Sequence, residues 1–313
     1  MKKLSIVVPC YNEEESVTLF FSTVKEVINK INSDRKVIVP EYIFIDDGSS
    51  DDTLKEIKKL NKQFPDVVHY QSFSRNFGKE SALFSGLEKS TGDYVVVMDV
   101  DLQDPPELLS KMLSLIQNSD YDCVGTIQKE RLGQSKLRAF LSSSFYKVVN
   151  KVSDVYIEPN ARDYRIMTRK FVNEVLALPE FNRFSKGIFS WVGFKTTYIT
   201  YESQPRVAGK THWSLQQLFA YSIEGIIDFS DVPLKLATWV GSISFILSIL
   251  GLIFVIVRAL TVGGSAAGWP SLVVIILLVG GIQLFCLGIL GQYISKIYLE
   301  TKHRPIYIVR EDA

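Results

Sequence analysis

Two stretches of this chain, residues 236–257 and 269–295, contain no charged residue. Each is longer than the roughly 20 residues an α-helix needs to cross the hydrocarbon core of a bilayer. Pro233 and Lys235 precede the first stretch, and Arg258 and Gly263-Gly264-Ser265 supply a turn before the second. Trp239 and Trp269 suit the membrane–water interface. Lys296, Lys302, His303, Arg304 and Arg310 follow the second stretch, and the excess of positive charge predicts a cytoplasmic tail. Two spans of about 236–257 and 270–295 then form a hairpin, with the N-terminal part on the same side. The only apolar run near the start, Leu4 to Val8, is shorter than the roughly 7–15 residues of a secretory signal core, so that part is expected to stay in the cytoplasm. The expected division is an N-terminal domain over 1–213, a juxtamembrane interfacial segment over 214–233, two transmembrane helices within 234–295, and a cytoplasmic tail over 296–313. Such a chain is a multi-pass protein of the cell membrane.

The first hundred residues alternate strand and helix signals. Leu4 to Val8, Tyr42 to Ile45, Val67 to Phe73 and Tyr94 to Met98 are short apolar runs that read as buried strands. Between them, Val17, Phe20, Phe21, Val24, Val27, Ile28 and Ile31 recur at helical spacing, as do Leu54, Ile57, Leu60 and Phe64. Alternation of this kind predicts an α/β domain: an open, mostly parallel, Rossmann-like sheet covered on both faces. Ligands of such sheets bind beyond the carboxyl ends of the strands. The polar clusters lie at those ends: Tyr11-Asn12-Glu13, Asp46-Asp47-Gly48-Ser49, Ser74-Arg75-Asn76, and Asp99 to Asp104. Further on, 122–127 reads as a strand, 134–152 as a basic amphipathic helix fit either to lie on a membrane or to pack on the core, and 214–232 as a second interfacial segment.

A formal net charge of +1 gives no sign of a nucleic-acid partner. Cys10, Cys123 and Cys286 are odd in number and far apart, which argues against a disulfide framework or a zinc site. Gly209-Lys210-Thr211 is not a phosphate-binding P-loop, because Gln204 stands where that motif needs its first glycine.

Asp99-Val100-Asp101 carries the chemistry. Two carboxylates one residue apart at a strand end can share a hard divalent cation, Mg2+ or Mn2+. Such a cation neutralises the charge that develops on a departing nucleoside diphosphate. Arg75, at the end of the third strand, can add positive charge there.

Pro9-Cys10-Tyr11-Asn12-Glu13, the run Asp46 to Thr53, Ser74 to Lys79 and the run Asp99 to Pro106 together resemble the family 2 glycosyltransferases of GT-A fold. More narrowly, the chain resembles the polyprenyl-phosphate hexosyltransferases, the class of dolichol-phosphate mannose synthase and the bactoprenol glucosyltransferases of GtrB type. The resemblance spans essentially the whole chain. It implies an inverting, metal-dependent transfer of a hexose, with UDP-glucose the favoured donor, to undecaprenyl phosphate at the cytoplasmic membrane face. It implies that Pro9, Tyr11, Asn12 and Glu13 line the nucleoside pocket, that Asp46 or Asp47 reads the base, and that Arg75 and Lys79 face the nucleotide. Asp99 would bind donor sugar or metal, and Asp101 and Gln103 would hold the metal. The run Asn160 to Arg165 resembles the family's acceptor-side loop, with Asp163 and Arg165 at the reaction centre. Arg165, Arg183, Arg206 and Lys210 would grip the acceptor phosphate. In the acceptor motif that begins at Arg206, Thr211 stands where serine is usual and His212 where lysine is usual. The resemblance also implies a homo-oligomer, plausibly a tetramer.

The processive polysaccharide synthases are a competing class. They carry a Gln-x-x-Arg-Trp motif, and Gln134-Ser135-Lys136-Leu137-Arg138 has neither the spacing nor the tryptophan. A non-catalytic membrane scaffold would be marked by loss of the acidic motif, yet Asp99 and Asp101 are both present.

Overall fold

The structure, a computed structural model, describes residues 2–35, 38–129, 147, 150–151, 153, 155–202, 230–262 and 268–313. Arg206, Lys210, Thr211, His212, most of the 134–152 segment and nearly all of 214–232 therefore lie outside the described residues.

The N-terminal half runs β1 (Lys2–Cys10), α1 (Val17–Arg35), β2 (Ile38–Asp46), α2 (Thr53–Gln63), β3 (Val68–Phe73), α3 (Lys79–Lys89), β4 (Tyr94–Val97) and α4 (Leu108–Asn118). β5 (Cys123–Gln128), β6 (Ala161–Thr168), α5 (Arg169–Leu176), α6 (Ser185–Trp191) and β7 (Thr196–Tyr201) complete the domain, and the chain then enters two long helices, α7 (Val232–Val262) and α8 (Trp269–Thr301). A last strand, β8 (Val309–Asp312), follows them.

The sheet order is β7-β5-β6-β4-β1-β2-β3-β8. Alternate residues of the central strands point into two apolar layers, as the period of two requires. Ile6, Val8, Val96, Tyr164 and Ile166 pack with α1, α2 and α4, and Val7, Val95, Val97 and Met167 pack with Leu83 of α3, Phe171 of α5 and Ile188 of α6. Burial on both faces is why the strands read as continuous apolar runs.

The expectation of a mostly parallel sheet needs one refinement. β1 pairs in parallel with β2 and β4, β2 with β3, and β5 with β7. β6, however, is antiparallel to both β4 and β5, and β8 is antiparallel to β3. The run read as an acceptor-side loop is therefore mostly the start of β6. After Pro105-Pro106, α4 begins at Leu108.

α7 and α8 are each long and apolar enough to cross a membrane, and their side chains are largely exposed. They run antiparallel: the Tyr293 hydroxyl donates to the Ser230 carbonyl at 2.7 Å, and Cys286 lies at 3.6 Å from the Ala237 carbonyl. α8 extends beyond the expected span, and the tail after it is part of the N-terminal domain's sheet rather than a free end. Ser74 N–H donates to the Ile308 carbonyl at 2.9 Å, and Tyr70 and Ala313 exchange backbone hydrogen bonds. Tyr307 stacks on Phe73, with ring centroids 4.8 Å apart, and its hydroxyl donates to Glu88 at 2.5 Å. Lys58 and Glu311 pair at 2.6 Å. The chain leaves the domain, makes a hairpin and is stitched back onto the sheet edge, so both ends of the hairpin lie on the domain's side.

The stack sets a stability prediction. Tyr307→Ala should lower stability by about 2 kcal/mol through lost burial and the lost ring pair. Tyr307→Phe keeps the stack and should cost about 1 kcal/mol or less. Thermal unfolding of the detergent-solubilised variants measures both.

Candidate active site

Parallel pairing aligns the strand ends. Cys10 is opposite Asp46, Asp46 opposite Ser72, and Val7 opposite Val97, so the loops after β1, β2, β3 and β4 open on one edge. These loops are bonded to one another. Asn12, at φ 55°, donates its N–H to Ser49 Oγ at 3.0 Å and accepts from Ser50 N–H at 2.9 Å. Glu13 N–H donates to Thr53 Oγ1 at 2.7 Å, and the Glu13 carboxylate accepts from Ser16 at 2.8 Å. Pro9 is half-buried at the end of β1, whereas the Tyr11 ring is 48% exposed and free to stack on a planar ligand.

Asp46 and Asp47 are both buried and bonded within the protein. Asp46 accepts from the Ser72 hydroxyl at 2.7 Å and Ser49 N–H at 3.1 Å. Asp47 accepts Phe77 N–H at 2.7 Å and Gly78 N–H at 2.9 Å, so it latches the loop that leads into α3. Gly48, at φ +68°, lets the β2 loop pass against the same segment; a Cβ there would collide with the backbone of Arg75 and Asn76. Arg75 itself is exposed, lying 4.0 Å over the Phe77 ring and donating to the Asn76 carbonyl at 3.0 Å.

The second half of the site comes from the reversed strand. β4 and β6 pair with Val97 opposite Arg165, and continuing that register brings Asp99 opposite Asp163. Lys79, the first residue of α3, lies between them, with Nζ at 2.7 Å from Asp99 Oδ1 and 2.7 Å from Asp163 Oδ2. Burial opposes ionisation of Asp163, but Lys79, Lys186 and Arg165 outweigh it and hold the carboxyl well below its usual range. Burial likewise opposes the Lys79 charge, and Asp163 and Asp99 outweigh it in turn, holding its pKa well above the usual lysine range. The Lys79 side chain is still 45% exposed, so the ammonium remains open to an arriving anion.

Arg162 is a site residue that the sequence reading passed over. Its guanidinium lies 3.8 Å from Asp99 and donates to Asp104 at 3.2 Å, and Tyr201 donates to the same Asp104 oxygen. The signal was present: on a strand, Asp163 and Arg165 share one face and Arg162 and Tyr164 the other. Arg165 and Arg183 are turned inward. Arg165 donates to the Arg162 carbonyl at 3.0 Å and lies 4.0 Å over Phe189. Arg183 lies 4.3 Å over Phe84 and donates to the Leu178 carbonyl. Burial holds the Arg183 pKa below the usual arginine range against the opposing pull of Glu80. Nε of Arg165 and of Arg183 is buried with no hydrogen-bond partner.

Among the described residues, no three His, Cys, Asp or Glu side chains converge as a self-sufficient cation cage. Asp101 Oδ1 accepts the N–H of Gln103 at 3.2 Å, both residues are buried beside Asp99, and Asp104 Oδ2 is buried without a partner. Mg2+ characteristically uses one or two protein carboxylates, completing its shell with phosphate oxygens and water. The donor set Asp99, Asp101 and Gln103 therefore fits a divalent cation that arrives with a diphosphate.

Residues 5–176 match the model of Glycosyl transferase family 2, and the chain belongs to that family. It is a glycosyltransferase, and its mixed sheet is the GT-A fold. A putative glycosyltransferase of Bacillus subtilis strain 168, CsbB, is 42% identical over 98% of this chain and 91% of its own length. The bactoprenol glucosyl transferase of Shigella phage SfV is 41% identical over 99% of each chain. Among solved structures, glucosyl-3-phosphoglycerate synthase of Mycobacterium tuberculosis, with Mn2+, UDP and phosphoglyceric acid, is 19% identical over 72% of this chain and 76% of that one, at a TM-score of 0.44.

The Asp47 latch sets a pH prediction. Burial pushes its carboxyl up to about 6, against the Phe77 and Gly78 N–H bonds, while Asp46 adds to the push and Arg75 opposes it. With the folded value above the usual 3.8, this contribution to stability is fully present below pH 3.8 and lost as pH rises through about 6. In Asp47→Asn that loss should vanish, flattening the stability profile between about pH 4 and 6 relative to wild type. Unfolding midpoints measured across this window decide it.

Proposed function

We propose that this protein transfers a hexose from a nucleotide-sugar to a polyprenyl phosphate at the cytoplasmic face of the cell membrane. UDP-glucose is the favoured donor and undecaprenyl phosphate the favoured acceptor, for use in cell-envelope glycan modification. The observation that carries the reading is the Lys79 bridge between Asp99 and Asp163, which joins the donor edge of the sheet to the reversed strand β6 in a domain stitched to an apolar hairpin. The name of the phage SfV relative, which aligns end to end, supports both the sugar and the lipid.

The nucleoside docks on the β1 and β2 loops, where Tyr11 offers an exposed ring and Asp46 and Asp47 fix the surrounding backbone. The diphosphate lies towards Asp99, Asp101 and Gln103, with Arg75 and Lys79 as the accessible cations. Asp99, Asp101 and Gln103 would hold a Mg2+ or Mn2+ ion, which would supply positive charge to offset that on the departing nucleoside diphosphate. The acceptor is a phosphate monoester whose second pKa is near 6, so at neutral pH it is already an anionic nucleophile. It needs no strong base. Asp163, held ionised by Lys79, orients the cations and the sugar, and Arg165, Arg183, Arg206 and Lys210 supply positive charge to the acceptor side. Attack from the face opposite the leaving group inverts the anomeric centre.

Asp101→Asn should remove most activity and leave the unfolding midpoint close to wild type. EDTA should inhibit wild type, and added Mg2+ or Mn2+ should restore it. Full turnover in EDTA after stripping bound metal would sink the ligand assignment. Release of UDP from UDP-glucose, but not of GDP from GDP-mannose, in the presence of undecaprenyl phosphate tests the donor and the acceptor together.

The same reading includes a homo-oligomer packed through α8, with a tetramer as its expected size. A Cβ at Gly280, Gly281, Gly288 or Gly291 would meet nothing within 4 Å, which leaves this helix face open to close approach by a neighbouring helix. Cysteines at 281 and 288, in a protein otherwise freed of cysteine, should cross-link to species larger than a monomer in membranes. A strictly monomeric and fully active particle in nanodiscs would overturn this packing.

A further inference from the structure

The end of α8 grips the catalytic domain at a second place, distinct from the tail strand. Glu300, in the last turn of that helix, accepts Phe181 N–H at 3.0 Å and Asn182 N–H at 3.1 Å on one carboxylate oxygen, and the Asn182 amide reaches the same oxygen at 3.4 Å. The segment it holds leads directly into Arg183 and Phe184 and then into α6. The first residue of α6, Ser185, donates both its N–H and its hydroxyl to Glu80, the neighbour of Lys79. A continuous path of bonded groups therefore runs from the apolar hairpin through Glu300, the 181–184 segment and Ser185 to Glu80, and so to the α3 turn that places Lys79 between Asp99 and Asp163.

We propose that Glu300 is a positioning residue that fixes the acceptor side of the active site at one height above the bilayer. The inference rests on the proposed use of a membrane-held acceptor. α8 is a single helix from Trp269 to Thr301, so the carboxylate near its end has a fixed offset from the apolar part of the same helix. A lipid acceptor brings its phosphate to the site at a height set by the bilayer. The site must meet it there, and a rigid helix bonded to the loop beside the site supplies that registration. The tail strand adds the second point of attachment. One attachment would leave the domain free to pivot; two, on β3 and on the 181–184 segment, define its posture. A water-soluble acceptor needs no such registration, because it can approach from any direction.

That difference is the test. KM and kcat are measured for Glu300→Ala and Glu300→Gln with two acceptors, a long-chain polyprenyl phosphate in phospholipid vesicles and a short-chain isoprenyl phosphate in free solution, at saturating donor, and the donor KM is measured at saturating soluble acceptor. Glu300→Ala should raise the KM for the vesicle acceptor about tenfold, which corresponds to about 1.4 kcal/mol of lost registration. Its KM for the soluble acceptor and for the donor should stay within about twofold of wild type, a split that general damage to the fold would not produce. Glu300→Gln keeps an acceptor oxygen and should recover most of the vesicle activity. Wild-type KM for the vesicle acceptor in Glu300→Ala would overturn the role of Glu300, as would equal loss on both acceptors. A wild-type protein that glycosylates neither acceptor would instead overturn the underlying reading of the function.

Discussion

The site depends on a repulsion that has to be cancelled. A parallel sheet delivers its strand ends to one edge, but it cannot place a residue directly across from the end of β4 on a further parallel strand without another crossover. The chain solves this by laying β6 antiparallel to β4, so that the start of β6 reaches the carboxyl edge just where β4 ends. The consequence is two carboxylates, Asp99 and Asp163, facing each other, and like charges directly opposite on neighbouring strands destabilise the pair. Lys79 removes the conflict by bonding both. Its position is set by α3, whose start is held by the Asp47 latch on Phe77 and Gly78 and by the docking of Ser185 on Glu80. Much of the local architecture serves to keep one ammonium group in one place.

The balance is also what makes the edge receptive. Asp99 carries two counter-ions, Lys79 and the more distant Arg162, and Arg162 is itself shared with the buried Asp104. An acidic edge with no such neighbours would bind cations and repel a diphosphate. An edge with too many would hold its carboxylates in closed ion pairs. Here Lys79 stays nearly half-exposed, and Asp101 adds a further carboxylate two residues after Asp99.

The first four strands were legible because burial on both faces writes them as unbroken apolar runs, and the polar clusters at their ends follow from the parallel topology. The apolar hairpin was legible for the simpler reason that lipid-facing helices cannot hide charges. What escaped was structure whose residues answer to something other than burial. The opening residues of β6, Ala161-Arg162-Asp163-Tyr164-Arg165, alternate between the two faces of the sheet, but Arg162, Asp163 and Arg165 are charged and only Tyr164 carries the apolar core layer. They read as a loop, and Arg162 was lost with that reading. β8 is Val309-Arg310-Glu311-Asp312, an edge strand of four largely exposed residues. It is held by backbone bonds, the Lys58 pair and the stack of Tyr307 on Phe73, none of which leaves an apolar period. Arg183 was legible as a cation near the site, but its inward turn over Phe84 is a packing choice that spacing does not encode.

The state of Asp163 bears on which acceptor the site is built for. A hydroxyl acceptor must lose a proton as it attacks, and a carboxylate serves as its base best when its pKa lies near the working pH. Asp163 is moved the other way: burial favours its neutral form, yet Lys79, Lys186 and Arg165 prevail and hold it ionised far below that range. A group so placed is a poor base and a good electrostatic anchor. Raising its basicity would require removing cations that an anionic acceptor needs. The two demands conflict for a sugar hydroxyl and coincide for a phosphate monoester, which brings its own negative charge and needs cations rather than a base. The electrostatics around Asp163 therefore suit the phosphate acceptor proposed above, and the apolar helices suit one that arrives in a membrane.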